Sequence, residues 1–92
     1  MPIGKGTGEN AVAQTDNIAS GINSFAEGAG TKATANYAHA EGYATEASHS
    51  CAHAEGDATK AAGPSSHAGG QYSATTDLAH AAFAHGVGVV AS

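Results

Sequence analysis

Ala38-His39-Ala40-Glu41-Gly42 recurs as Ala52-His53-Ala54-Glu55-Gly56, 14 residues later. Worn copies keep the interval: Phe25-Ala26-Glu27-Gly28 stands before, His67-Ala68-Gly69-Gly70 after. A fixed period this short is one structural coil repeated, so the fold follows from the repeat unit. It also sets His39, His53 and His67 at equivalent places in successive coils.

Gly28, Gly42, Gly56 and Gly70 are 14 apart, and Gly86 follows after 16, a two-residue insertion. Three positions after these glycines stand Thr31, Thr45, Thr59 and Ser73, and two further on Ala33, Ala47, Ala61 and Thr75. Before each glycine, small and large residues alternate, which is the period of a strand with one small face. The segment Thr31-Lys32-Ala33-Thr34-Ala35 reads as a second short strand, with glycine-containing turns joining the two. Two short strands and two turns per repeat make one coil of a narrow β-solenoid or β-roll. Abundant alanine favours a helix, but periodic glycine and the absence of helically spaced large residues oppose it.

Ala11-Val12-Ala13-Gln14 and Asn17-Ile18-Ala19-Ser20-Gly21 supply an N-terminal coil, and Ala82-Phe83-Ala84-His85-Gly86 a C-terminal one. About six coils then fill residues 8–92, with 1–7 as a flexible leader. Stacked at about 4.8 Å each, they give a body on the order of 25–30 Å long.

Composition agrees with a thin interior. Leu occurs once, as Leu78, Phe twice and Trp not at all among 92 residues, while Ala and Gly dominate. Only small side chains fit where two backbones approach closely. Disorder is the bland alternative for such a composition, but a disordered tract needs no phase. The net charge of −5, with Lys5, Lys32 and Lys60 as the only bases, disfavours nucleic acid and anionic membrane surfaces as partners. No apolar run is long enough to insert into a membrane, and residues 1–6 lack the apolar region of a secretion signal. The lone Cys51 rules out an intrachain disulfide and reads as a buried packing residue.

With small residues inside, their neighbours point outward in two columns. The first is Val12, Phe25, His39, His53, His67 and Phe83; the second is Gln14, Glu27, Glu41, Glu55, Gly69 and His85. Valine and phenylalanine at the ends of the first column would be unexplained in water. Facing other copies around a threefold axis, Phe25 and Phe83 would bracket rings of His39, His53 and His67. Burial between chains would then supply stability that the thin roll lacks.

These residues resemble the head repeat of trimeric autotransporter adhesins, the YadA-like head. Its pattern is roughly Ser-Val-Ala-Ile-Gly, two variable residues, then Ser-x-Ala-x-Gly. The matches are Ser24-Phe25-Ala26-Glu27-Gly28 with Thr31 and Ala33, and Ala38-His39-Ala40-Glu41-Gly42 with Thr45 and Ala47. The resemblance covers about residues 8–90 and implies a left-handed parallel β-roll assembled as a homotrimer. This sequence departs from it by carrying His and Glu where the adhesins carry Val and Ile. In that respect it is similar to repeats of bacteriophage tail fibres and appendages. The implied location is a virion tail or a bacterial surface.

The column histidines admit two readings. In the favoured one they are a polar seam, each imidazole paired with a glutamate or carbonyl of a neighbouring chain. In the other, His39, His53 and His67 converge at the trimer axis to hold a metal or an anion, with Glu41 and Glu55 behind them. No His-x-His spacing occurs, which disfavours the second, and no cofactor is expected. His49 and His80 fall outside the columns, at a solvated turn and a surface bulge.

No nucleophile elbow, zinc motif or properly ordered phosphate loop is present, so an enzyme is the least expected class. The leading expectation is a structural trimeric fibre module that spaces or presents a host-binding region. A head that itself recognises a host glycan or protein receptor is the alternative. For it, exposed aromatics would be needed, and Tyr43 and Tyr72, expected in turns just after Gly42 and Gly70, are the candidate patch, with Tyr37 the remaining tyrosine.

Overall fold

The structure, a computed structural model, describes residues 3–14 and 16–92. Its described strands, numbered in chain order, are β1 (Ile3–Lys5), β2 (Val12–Gln14), β3 (Ile18–Ala19), β4 (Phe25–Ala29), β5 (Lys32–Ala33), β6 (His39–Tyr43), β7 (Glu46–Ala47), β8 (His53–Ala54), β9 (Lys60–Ala61), β10 (His67–Gln71), β11 (Ala74–Thr75), β12 (Phe83–Val87) and β13 (Val90–Ala91). They form two sheets. One runs β1-β2-β4-β6-β8-β10-β12 and the other β3-β5-β7-β9-β11-β13. The chain alternates between them, so each coil contributes one strand to each sheet and pairs in parallel with the next coil. The result is an all-β solenoid of about six turns, with principal extents of 33 × 21 × 11 Å.

The register is the 14-residue period itself: Phe25 pairs with His39, His39 with His53, and His53 with His67. At the insertion it steps by 16, His67 to Phe83 and Ala74 to Val90. The extra residues lie in the turn 76–82, where Leu78 is 83% exposed and His80 is exposed.

Between the sheets lie four files of small side chains. Ala26, Ala40, Ala54, Ala68 and Ala84 are fully buried, as are Ala33, Ala47 and Ala61 in the second sheet. The largest fully buried side chains are threonines and serines. Their hydroxyls bond carbonyls inside the roll: Thr45 donates to Glu41 at 3.0 Å, Thr59 to Glu55 at 2.8 Å, and Ser24 to Gly21 at 2.7 Å. Burying a methyl group contributes little compared with burying a leucine. The coil stack therefore relies on its backbone ladder and these hydroxyl bonds.

Three expectations need correction. The periodic glycines do not form the turns; Gly28, Gly42 and Gly70 lie inside five-residue strands. Gly42 has φ +104°, and a Cβ there would stand 2.2 Å from the carbonyl oxygen of Gly56. Glycine recurs because adjacent coils touch backbone to backbone at this bend. Cys51 is exposed, not packed inside. It occupies a left-handed corner, φ +59°, shared with Asn23, Tyr37, Ser65 and Ala81. Its N–H donates to the carbonyl of Asn36 in the preceding coil at 3.0 Å, while its side chain stands outside the turn.

Within the segment expected as a leader, β1 pairs antiparallel with β2, and Thr7 N–H donates to Ala19 at 2.9 Å. Residues 3–8 thus lie across the first coil and cover its open edges. A sheet edge left bare invites pairing with another chain.

Candidate functional site

Alternation along β4, β6, β8, β10 and β12 turns every second residue away from the alanine file. Parallel in-register pairing then stacks equivalent residues. Val12, Phe25, His39, His53, His67 and Phe83 accordingly form one file on the outer face of the first sheet. Glu27 lies beside Glu41 in the second file, and Gly69 beside His85. The side chain of Gln14, expected at the head of that file, lies outside the described residues.

The rings are in contact. Phe25 meets His39 at 5.1 Å between centroids, tilted by 47°. His39 and His53 stack at 4.7 Å, His53 and His67 at 4.9 Å, and His67 and Phe83 at 4.7 Å. His85 continues the stack from the second file, 5.9 Å from Phe83. Its ring explains Gly69: a Cβ there would lie 2.6 Å from His85 Cδ2. That dependence spans two coils and could not be read from either coil alone.

Carboxylates edge this stack. Glu41 Oε1 lies 2.8 Å from His39 Nε2 and 3.8 Å from His53 Nε2. Glu55 Oε1 lies 2.9 Å from His53 Nε2 and 3.9 Å from His67 Nε2. Each glutamate thus sits between the imidazole of its own coil and that of the next. The short contacts lie off the direction needed for hydrogen bonding, and the Nε2 atoms of His39, His53 and His67 are buried without a hydrogen-bond partner among the described residues. His67 lacks a carboxylate in its own coil, because Gly69 replaces glutamate. Its pKa is lowered, first by burial, then by repulsion from His53 and His85, with Glu55 acting in the opposite sense.

The donor types suit a transition metal. Nitrogens and oxygens of His39, Glu41 and His53, and of His53, Glu55 and His67, fall within 4.8 Å of one another. Their directions do not suit it within one chain. An imidazole lone pair lies in its ring plane, and the planes of His39 and His53 are 10° from parallel with centroids 4.7 Å apart. An ion about 2.1 Å from both nitrogens would leave both planes. Within a chain the arrangement is a file of imidazole–carboxylate contacts, not a chelate.

Tyr43 and Tyr72, expected together in turns, occupy different positions. Tyr43 ends strand β6, whereas Tyr72 lies in the following left-handed corner, φ +58°. Both are exposed, as is Tyr37 at the opposite corner. An open groove of about 490 Å³ on the second sheet is lined by residues including His49, Lys60 and Asp77. His49 Nδ1 there accepts from Ser50 N–H.

No family model, curated protein or solved structure matches this chain.

Proposed function

We propose that the chain is a structural, non-catalytic module of a trimeric fibre or head, of the kind found in phage tail fibres and bacterial surface adhesins. The observation that carries this reading is the file on the first sheet. It presents Phe25, three stacked histidines and Phe83 in one line over an interior that holds only small side chains. The histidine side chains are already 28–37% exposed, and Phe83 is 65% exposed. An aromatic line of that length is a surface with burial still to gain. Threefold closure would bring the three copies of this line together and cover the ring faces that one chain leaves open. The likeness of the repeat to YadA-like heads supports the same arrangement, including its handedness. The module would space or present a host-binding region on a virion tail or a bacterial surface, with itself as its principal partner and no bound cofactor.

Native mass spectrometry and sedimentation equilibrium test this directly. The expected mass is that of three chains. His53→Asp, which sets a carboxylate between Glu41 and Glu55, should shift the chain toward monomer, whereas Lys32→Glu on the other sheet should not. A monomer over the micromolar range would overturn the proposal.

A further inference from the structure

Tyr43, Asp57 and Gln71 are successive residues of one file, joined by parallel bridges between their coils. Tyr72 follows Gln71 at the corner where the first sheet passes to the second. Their backbones are tied together: Tyr72 N–H donates to the Asp57 carbonyl at 2.9 Å, and Ala58 N–H to the Tyr43 carbonyl at 2.8 Å. Gln71 Nε2 reaches Asp57 Oδ2 at 3.4 Å. Tyr43 is 63% exposed and Tyr72 61% exposed. The corner therefore carries two outward rings on a fixed backbone, with a carboxylate and an amide between them.

The fold does not ask for a tyrosine at position 72. Equivalent corners hold Asp16, Gly30, Ala44, Ala58 and Gly88, all at positive φ. A bulky residue is disfavoured in that region, and this one recovers little by burial. Tyr37 is equally strained and exposed at its own corner, φ +62° and 57% exposed; Tyr72 differs in having the Tyr43, Asp57 and Gln71 file beside it.

We infer that Tyr43, Asp57, Gln71 and Tyr72 form a binding site for a neutral oligosaccharide. Tyrosine rings offer flat apolar faces to the C–H faces of a pyranose at small loss of side-chain freedom. Asp57 accepts from sugar hydroxyls, and Gln71 both donates and accepts. The two rings are two coils apart, about 10 Å along the stack, a span suited to a short chain of sugars. An acidic sugar is disfavoured because the corner contributes a carboxylate and no cation. Lys32 and Lys60 lie on the second sheet, and the chain carries a net charge of −5. The site is complete within one chain, so it stands or falls separately from trimer formation.

The test is saturation-transfer NMR and calorimetric titration of the full chain with maltotriose, cellotriose, triacetylchitotriose and galactobiose, and with ribonuclease B before and after enzymatic removal of its glycan. At least one of these neutral sugars should bind. Tyr43→Ala and Tyr72→Gly should each weaken it by about tenfold or more, as expected for loss of a stacking ring. Tyr72→Gly also relaxes the backbone, so its effect cannot be assigned to misfolding. Tyr37→Ala, at the opposite corner, should leave binding unchanged. Silence of every sugar at millimolar concentration would overturn the site, as would binding unaffected by both substitutions. Binding of ribonuclease that survives deglycosylation would make the corner a polypeptide contact and would overturn it equally.

Discussion

The imidazole of His39 lies almost flat on that of His53, 4.7 Å away and 10° from parallel, while one oxygen of Glu41 touches both rings' Nε2 edges at 2.8 and 3.8 Å. Stacking and charge contact are thus built from the same three residues. The arrangement ends at His67, where the next position along the second file is glycine. Acidification should weaken the fold there.

His67 has its pKa below the ordinary 6.5, chiefly through burial. The unfolded chain therefore takes up this proton first as pH falls through about 6.5. The contribution to stability is complete above that pH and is lost as pH drops toward the lower folded-state value. At fixed protein concentration, the melting temperature should be level from about pH 8 to 7 and decline from about 6.5 to 5.5, where ordinary carboxylates remain ionised. His67→Phe keeps a ring between His53 and Phe83 and should flatten that decline. Parallel wild-type and variant curves in scanning calorimetry would refute the assignment.

Buried hydroxyls should differ sharply in worth. Thr75 Oγ1 accepts from Ala62 and Gly63 N–H and donates to Ser66 Oγ at 2.7 Å. Thr31 Oγ1 is buried with no hydrogen-bond partner among the described residues. Thr75→Val should cost about 1–3 kcal/mol, whereas Thr31→Val should be neutral or stabilising. Urea melts of the two variants give the comparison, and equal losses would contradict it.

Two glycines of successive coils should also separate. Gly42→Ala would drive a Cβ to 2.2 Å from the Gly56 carbonyl, so the coils must part. Gly30 has φ +67°, but its nearest contact would be 3.9 Å away, and Ala44 and Ala58 already occupy equivalent corners. Gly30→Ala should cost about 1 kcal/mol, a fall of roughly 4–8 °C in Tm. Gly42→Ala should cost well over twice that or prevent folding. Similar melting temperatures for the two would show that the close approach is not limiting.

On the second sheet Lys32, Glu46 and Lys60 stand side by side in successive coils. Glu46→Lys makes three adjacent cations. A loss of about 0.5–1 kcal/mol is expected at low salt, shrinking as ionic strength approaches about 1 M. A salt-independent loss would point to packing instead.

The period and the in–out alternation were legible because parallel coils stack equivalent residues directly. That made the alanine files and the Phe25-to-Phe83 line readable by spacing alone. A lone cysteine reads as a buried packing residue, whereas the corner of Cys51 has a left-handed backbone that sets the side chain outside. The periodic glycines were legible as landmarks but not as contacts; the clash at Gly56 comes from a neighbouring coil's carbonyl, which no one-coil pattern shows. The strand at Ile3–Lys5 breaks the period altogether, since it runs antiparallel across the stack. Asp57 and Gln71 were missed because a corner patch draws one residue from each of several coils.

The two residues added between Thr75 and Gly86 leave both flanking registers aligned, with His67 still opposite Phe83 and Ala74 opposite Val90. Length changes at a corner are absorbed as a bulge, whereas a single residue added within a strand would invert its inner and outer faces. The coil stack thus works as a frame with elastic hinges and inelastic rungs. A foreign peptide spliced at Leu78 would be held out from the body at a fixed height along it, with the spacing of every other coil undisturbed.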